Sequence, residues 1–241
     1  MTAREVVQAE MGRPVSGTLP RLQLRPGLSD VGMGELESQL GVRLPSEARE
    51  LLAFTSGFSF ESFGDVSFLP KELFPLREML PLGLPIATDE AGNDWVIDIS
   101  AETGAWGPVV FMCHDPPVLA IQAPDLAQFL GQVFEQGRAQ SSNRMSSVRE
   151  ATNRIWRDDP YLLDIESSRA SPDPAVARFS KLLPQTFRVA DLRRLEIGSG
   201  FAWGRNGPTT TVKRYGSELL FGVEARKKSS LVSRLLRRTG G

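Results

Sequence analysis

The residues best suited to chemistry lie between positions 84 and 115, LPIATDEAGNDWVIDISAETGAWGPVVFMCHD. His114, the only histidine, stands between Cys113, the only cysteine, and Asp115. Such a trio suggests a Cys/His nucleophile or a metal site. Neighbouring residues on a strand point to opposite faces, however, so Cys113 and His114 are badly placed to act as nucleophile and base. A zinc site needs three or four ligands, and one His plus one Cys leaves carboxylates to supply the rest. The favoured reading is a strand-end histidine with a structural hydrogen bond. Asp89, Glu90, Asp94 and Asp98 could form a general acid and base or a Mg²⁺ site. With Gly92-Asn93 between them, a solvated turn is the simpler state. No catalytic residue, metal ligand or cofactor is assigned.

These residues are carried by two β-rich runs, Trp95 to Ile99 and Val109 to Cys113. Turn-forming Gly92-Asn93-Asp94 and Gly104-Ala105-Trp106-Gly107-Pro108 punctuate them. Trp95, Ile97 and Ile99 share one face and Val96 and Asp98 the other, which predicts a half-buried antiparallel strand. Val118 to Ile121 extends the sheet. Asp125 can cap a helix with Gln128, whose Leu126, Phe129, Leu130, Val133 and Phe134 face a sheet, and Gly137 ends it.

Upstream, Ser29 or Asp30 caps a helix with Met33, Leu36 and Leu40 on one face, stopped by Gly41. Pro45 and Ser46 open a second, with Ala48, Leu51, Leu52 and Thr55 as its stripe and Gly57 after it. Residues 58–69 and 73–80 read as short strands and turns. Phe58, Phe60, Phe63, Phe68 and Phe74 are expected in the core, not on a ligand-stacking platform. Residues 1–27 lack a sustained period and read as a flexible arm with about one helical turn before Gly12.

Charge divides the chain. Residues 1–140 hold 9 Lys and Arg against 19 Asp and Glu, and residues 141–241 hold 19 against 10. The halves have different electrostatic partners, or they neutralise each other. Polar residues 138–146 read as a linker to a basic C-terminal α+β module over 147–241. In it, Ser147 and Glu150 cap a helix with Val148, Ala151, Ile155 and Trp156. Residues 158–174 read as loop, and Asp173-Pro174 starts a helix with Val176, Phe179, Leu182 and Leu183. A three-stranded meander is expected from Phe201–Trp203, Thr209–Tyr215 and Glu218–Glu224. GSGFAWGRNG lacks the Gly-Lys-Ser/Thr ending of a phosphate loop. Arg205, Lys213, Arg214, Arg226, Lys227 and Lys228 among Phe201, Trp203, Tyr215 and Phe221 could grip nucleic acid or dock on the acidic half. Arg234, Arg237 and Arg238 around Leu231, Val232, Leu235 and Leu236 make a basic amphipathic tail, read as a packed or frayed terminus. One cysteine excludes an intrachain disulfide, and no membrane span or secretion signal is read, so a cytoplasmic location is expected.

Five motifs occur in order. Glu37 precedes Leu40-Gly41-Val42-Arg43-Leu44-Pro45, and Ser56-Gly57 follows the next helix. Ala87, Asp89 and Gly92-Asn93 precede the strand Trp95 to Asp98. Gly107-Pro108-Val109 leads to His114-Asp115, and Phe129-Leu130 lies in the closing helix. On these motifs the sequence from about Leu28 to Gly137 resembles the SUKH superfamily, the Smi/Knr-type domain of bacterial immunity proteins and of a yeast cell-wall regulator. The resemblance implies an α+β domain at 28–137, a mostly antiparallel sheet with packed helices, and leaves 147–241 unassigned. It implies a non-enzymatic protein that binds a cognate toxin, often a nuclease. The partner surface would be acidic, with Asp89, Glu90, Asn93, Asp94 and Asp115 as its residues. The alternative is a regulatory or scaffold interaction protein, with nucleic acid contacted through the basic module. Neither a membrane nor a small-molecule substrate is expected.

Overall fold

The computed structural model describes residues 1–13, 22–136, 144–205, 207 and 210–225. The expected helix stop at Gly137, most of the 138–146 linker, Asn206, and the basic residues from Arg226 to Arg238 lie outside the described residues.

The chain opens with helix α1 (Ala3–Met11), whose Thr2 and Glu5 form a reciprocal capping box. Val6 and Val7 are buried, so this stretch is a packed helix and not the expected arm. Its apolar signal is only two adjacent valines, too little to reveal a period in sequence. Strand β1 (Leu22–Leu24) follows, then helices α2 (Asp30–Leu40) and α3 (Ser46–Phe54) as anticipated. Ser29 caps the Gly32 N–H, and Gly41 ends α2 at φ 72°, a left-handed conformation that favours glycine. Glu37 accepts from the Leu44 N–H at 2.9 Å and from Arg49 at 2.7 Å, tying the connecting turn to both helices.

Two short strands, β2 (Gly57–Phe60) and β3 (Gly64–Ser67), complete a small sheet of order β1-β2-β3. Next come β4 (Leu82–Thr88), β5 (Asp94–Ile99), β6 (Trp106–His114) and β7 (Pro117–Ala123), successive antiparallel neighbours. The sequence reading missed β4 because Gly83 and Pro85 look like breakers. The strand lies at the sheet edge, where a missing N–H is tolerated, with a bulge between Pro85 and Ala87. Residues 73–80 form turns and no strand.

Helix α4 (Leu126–Gln136) is capped by Asp125, which accepts from the Gln128 backbone at 2.7 Å and its side chain at 2.8 Å. Helix α5 (Arg144–Asp158) starts before the expected Ser147. The region read as loop contains β8 (Leu162–Asp164) and α6 (Ile165–Arg169), and Asp173 caps α7 (Pro174–Lys181). Leu183 is buried, but Leu182 is 69% exposed and leaves the expected face. Strands β9 (Phe187–Asp191), β10 (Gly200–Ala202), β11 (Val212–Arg214) and β12 (Leu220–Glu224) finish the described fold.

These last strands do not make the expected meander. β10 pairs with β7 and becomes the fifth strand of the central sheet, β10-β7-β6-β5-β4, while the others form a separate sheet, β11-β12-β9-β8. The central sheet is therefore covered on both faces. On one, Trp95, Ile97 and Phe111 join Phe58, Phe129, Phe134 and Val148. On the other, Val96, Val110, Met112, Leu119 and Ile121 meet Phe201, Phe221 and Val223. The alternation along β5 stands, but the strand is buried on both sides. Residues C-terminal to the linker supply its second cover, so the two regions share a sheet and two cores.

Side-chain caps make the fold acid-sensitive. Glu37 is held below its ordinary range chiefly by the Leu44 N–H, Asp164 by the Ser167 N–H, Asp173 by the Val176 N–H and then Arg193, and Asp191 by Arg193. A carboxyl whose pKa is lower in the folded state stabilises above its unfolded pKa, near 4, and loses that effect as pH falls through the folded value. The urea midpoint should hold from pH 7 to 5 and fall steeply below about pH 4. A midpoint unchanged at pH 3 would contradict these four roles.

Candidate functional site

Two chain reversals, β4–β5 and β6–β7, lie at the same end of the central sheet and hold the residues singled out from sequence. Gly92 adopts φ 79° in the first, a conformation an L side chain rarely takes. Asp89 turns inward. Its carboxylate accepts from the Ala91 N–H at 3.0 Å, the Asn93 N–H at 2.9 Å and the Asn93 amide, and pairs with Arg149 of α5 at 3.0 Å. The Arg149 guanidinium also lies 5.6 Å from the Trp95 ring centroid. Asn93 is buried and links the reversals, for its Oδ1 accepts from the His114 N–H at 3.1 Å and lies 3.1 Å from His114 Nδ1.

Asp89 and Asn93 thus serve the turn, with little polar capacity left for a partner. Glu90 and Asp115 are exposed, and half-exposed Asp94 accepts from the Thr88 hydroxyl at 2.7 Å. The Asn93–His114 link brings these three carboxylates to one end of the sheet. Sequence reasoning missed Arg149, sixty residues from Asp89, because no local spacing signals it. Replacing Asp89 with Ala should cost about 1–3 kcal/mol, by leaving the backbone N–H and side-chain amide of buried Asn93 without their acceptor. Chemical denaturation checks this, and a change under about 0.5 kcal/mol would mean that the turn holds itself.

The other chemical candidates are separated in space. Cys113 is buried, with its thiol pushed up by burial, whereas His114 is exposed on the opposite side of the strand. Asp98 leaves the acidic group altogether. It lies buried at the far end of β5, where Arg214 grips both of its oxygens at 2.7 Å. No group of three or more His, Cys, Asp or Glu that could hold a metal occurs among the described residues.

Among the described residues, several C-terminal arginines are also committed. Arg205 pairs with Asp159 and donates to the Ile155 carbonyl, and Arg193 bonds Asp191, Asp173 and Glu218. Phe201 and Phe221 pack against each other, fully buried, and Tyr215 packs on Phe179. Phe201 and Phe221, fully buried, cannot stack bases, while Trp203 and Tyr215 are half-buried. The ion pairs Arg149–Asp89 and Arg214–Asp98 instead join the basic half to the acidic half.

Residues 27–132 match the SMI1 / KNR4 family (SUKH-1), and this segment is a SUKH-superfamily domain. Neither a curated protein nor a solved structure matches the chain. The family is generally non-enzymatic and consistent with an immunity-type protein that has a protein partner. No helix among the described residues is long and apolar enough to cross a membrane.

Proposed function

We propose that this chain is a non-enzymatic immunity protein of the bacterial cytoplasm that neutralises a cognate toxin, a nuclease in the first instance, by direct binding. The observation that carries this is the placement of exposed Glu90 and Asp115 and half-exposed Asp94 on two reversals locked by Asn93, within a SUKH domain. A nuclease needs positive charge to hold phosphates, so a rigid array of carboxylates competes for that surface and steers encounter. Asp89 and Asn93 act by shaping the array.

The test replaces Glu90, Asp94 and Asp115 with Gln, Asn and Asn and measures association with the toxin encoded beside this chain's gene. Association should slow about 10-fold at low salt and lose most of its salt dependence, with dissociation little changed, as for rim charges. An unchanged rate and salt slope would place the partner elsewhere. The regulatory reading through nucleic acid is weaker, because two of the four aromatic residues it needs, Phe201 and Phe221, are in the core.

A further inference from the structure

The bond between His114 and Asn93 decides which of the two imidazole nitrogens carries the proton. The Asp89 carboxylate only accepts, and it does so from the Ala91 and Asn93 backbone N–H groups while paired with Arg149. The nitrogen of the Asn93 side-chain amide must therefore face it, and Nδ2 donates to Asp89 Oδ2 at 3.0 Å. Asn93 Oδ1 is left facing His114, where it accepts from the backbone N–H at 3.1 Å. A backbone N–H and a carboxylate have one role each, so the amide cannot be reversed. His114 Nδ1 lies 3.1 Å from that same oxygen, which can only accept, and so Nδ1 carries the proton. The ring also lies against the β4–β5 turn, where a Cβ on Gly92 would be 3.7 Å from its Cε1. In the neutral imidazole the other nitrogen, Nε2, is then a lone-pair acceptor on an exposed side chain.

We infer that His114 determines partner specificity at this surface, an inference that rests on the toxin-binding role proposed above. Its Nε2 accepts a hydrogen bond from a basic side chain of the toxin, arginine matching best. Glu90, Asp94 and Asp115 on the same two reversals are acceptors as well. A hydroxyl or a backbone N–H could satisfy Nε2 alone, but three carboxylates beside it select a cation. A guanidinium fork can donate to the imidazole and to a neighbouring carboxylate at once. A second proton on the ring makes Nε2 a donor and adds positive charge, which opposes such a partner, and imidazoles make this change between about pH 5 and 8. The other charged groups on the elements around the ring are Asp89, Glu90 and Asp94 on the first reversal, Asp115 on the second, and Arg149 of α5, held by Asp89.

His114 is the only histidine, so the imidazole signals in the nitrogen NMR spectrum of the isotope-labelled full chain belong to it alone. At about pH 8, where the neutral ring prevails, Nδ1 should show the shift of a protonated ring nitrogen and Nε2 that of a bare one. Asn93→Ala should bring the two shifts together. The reverse assignment, or shifts that Asn93→Ala leaves unmoved, would overturn the inference before any partner is added. Binding is then measured with the toxin encoded beside this chain's gene. His114→Asn keeps a donor at the Nδ1 position and has nothing at Nε2, so at about pH 8 its complex should dissociate about 10-fold faster. His114→Gln, which carries an amide oxygen as far as Nε2, should recover part of the loss. The wild-type complex should weaken by about 10-fold between about pH 8 and 5.5, and the His114→Asn complex by less than about 2-fold. Tight wild-type binding that His114→Asn leaves unchanged, or an equal pH response in the two, would overturn this role of His114 and leave the acidic surface in place. A wild-type chain that does not bind the toxin would overturn the proposed function and the role of His114 with it.

Discussion

Replacing Arg214 with Ala should destabilise the protein by about 3–5 kcal/mol, the usual cost of leaving one partner of a buried ion pair unpaired. For a chain of this size that corresponds to a fall in Tm of roughly 10 °C or more. Both side chains are 6% exposed, and the pair is bidentate at 2.7 Å. Arg214 donates further to the carbonyls of Met79, Ser217 and Glu218, so all five N–H groups of its guanidinium fork are used. Truncation therefore strands a carboxylate and three backbone oxygens together. Arg214→Lys should recover only part of the loss, because an ammonium cannot reproduce the planar fork. Asp98→Ala should be milder than Arg214→Ala, since Arg214 keeps its carbonyl partners. A double-mutant cycle measured by urea denaturation should return a coupling of about 1–3 kcal/mol. A loss below 1 kcal/mol in Arg214→Ala would show that the site takes up water and that the pair is not a fastening of the two sheets.

The legible parts of this fold were those written in local periods. Met33, Leu36 and Leu40, and Leu126, Phe129, Leu130, Val133 and Phe134, announce helices with caps at Ser29 and Asp125, and the structure places each as expected. Trp95, Ile97 and Ile99 announce one face of a strand. What stayed hidden was the pairing of distant segments. Gly200 to Ala202 is too short to carry a period, and its placement beside β7 depends on a close approach, since a Cβ on Gly200 would lie 1.9 Å from the Leu119 carbonyl oxygen. The candidate surface was half legible. Glu90 and Asp115 are exposed and Asp94 half-exposed, but the inward turn of Asp89 and Asn93 depends on Arg149 and His114, which reach them across 60 and 21 residues. The charge split between halves was visible in composition. That at least part of it is neutralised internally required the positions of Arg149 and Arg214.

A chain ending at residue 136 should fail to fold, although it contains the whole matched segment. It retains α4 but loses α5, β10 and the sheet β11-β12-β9-β8. The sequence points the other way, since polar residues 138–146 read as a linker between a domain at 28–137 and a module at 147–241. Removal of the second cover would expose Val96, Val110, Met112, Leu119 and Ile121, each now at most 3% accessible. At about 1.5–3 kcal/mol for each buried aliphatic side chain, the loss is roughly 10 kcal/mol, comparable to the whole stability of a typical domain. The bare face would also be a continuous apolar patch, which drives association. The truncated chain should be insoluble, or bind a hydrophobic dye without a cooperative thermal transition. The full chain should unfold in one step by both near-UV and far-UV circular dichroism. A nick within 137–143 should leave its two pieces associated, and Gly200→Val, which drives a side chain into the Leu119 carbonyl, should lower the single Tm. Should the chain ending at 136 prove a soluble monomer with its own sharp transition, the SUKH segment is an autonomous unit and the sheet behind it an accessory.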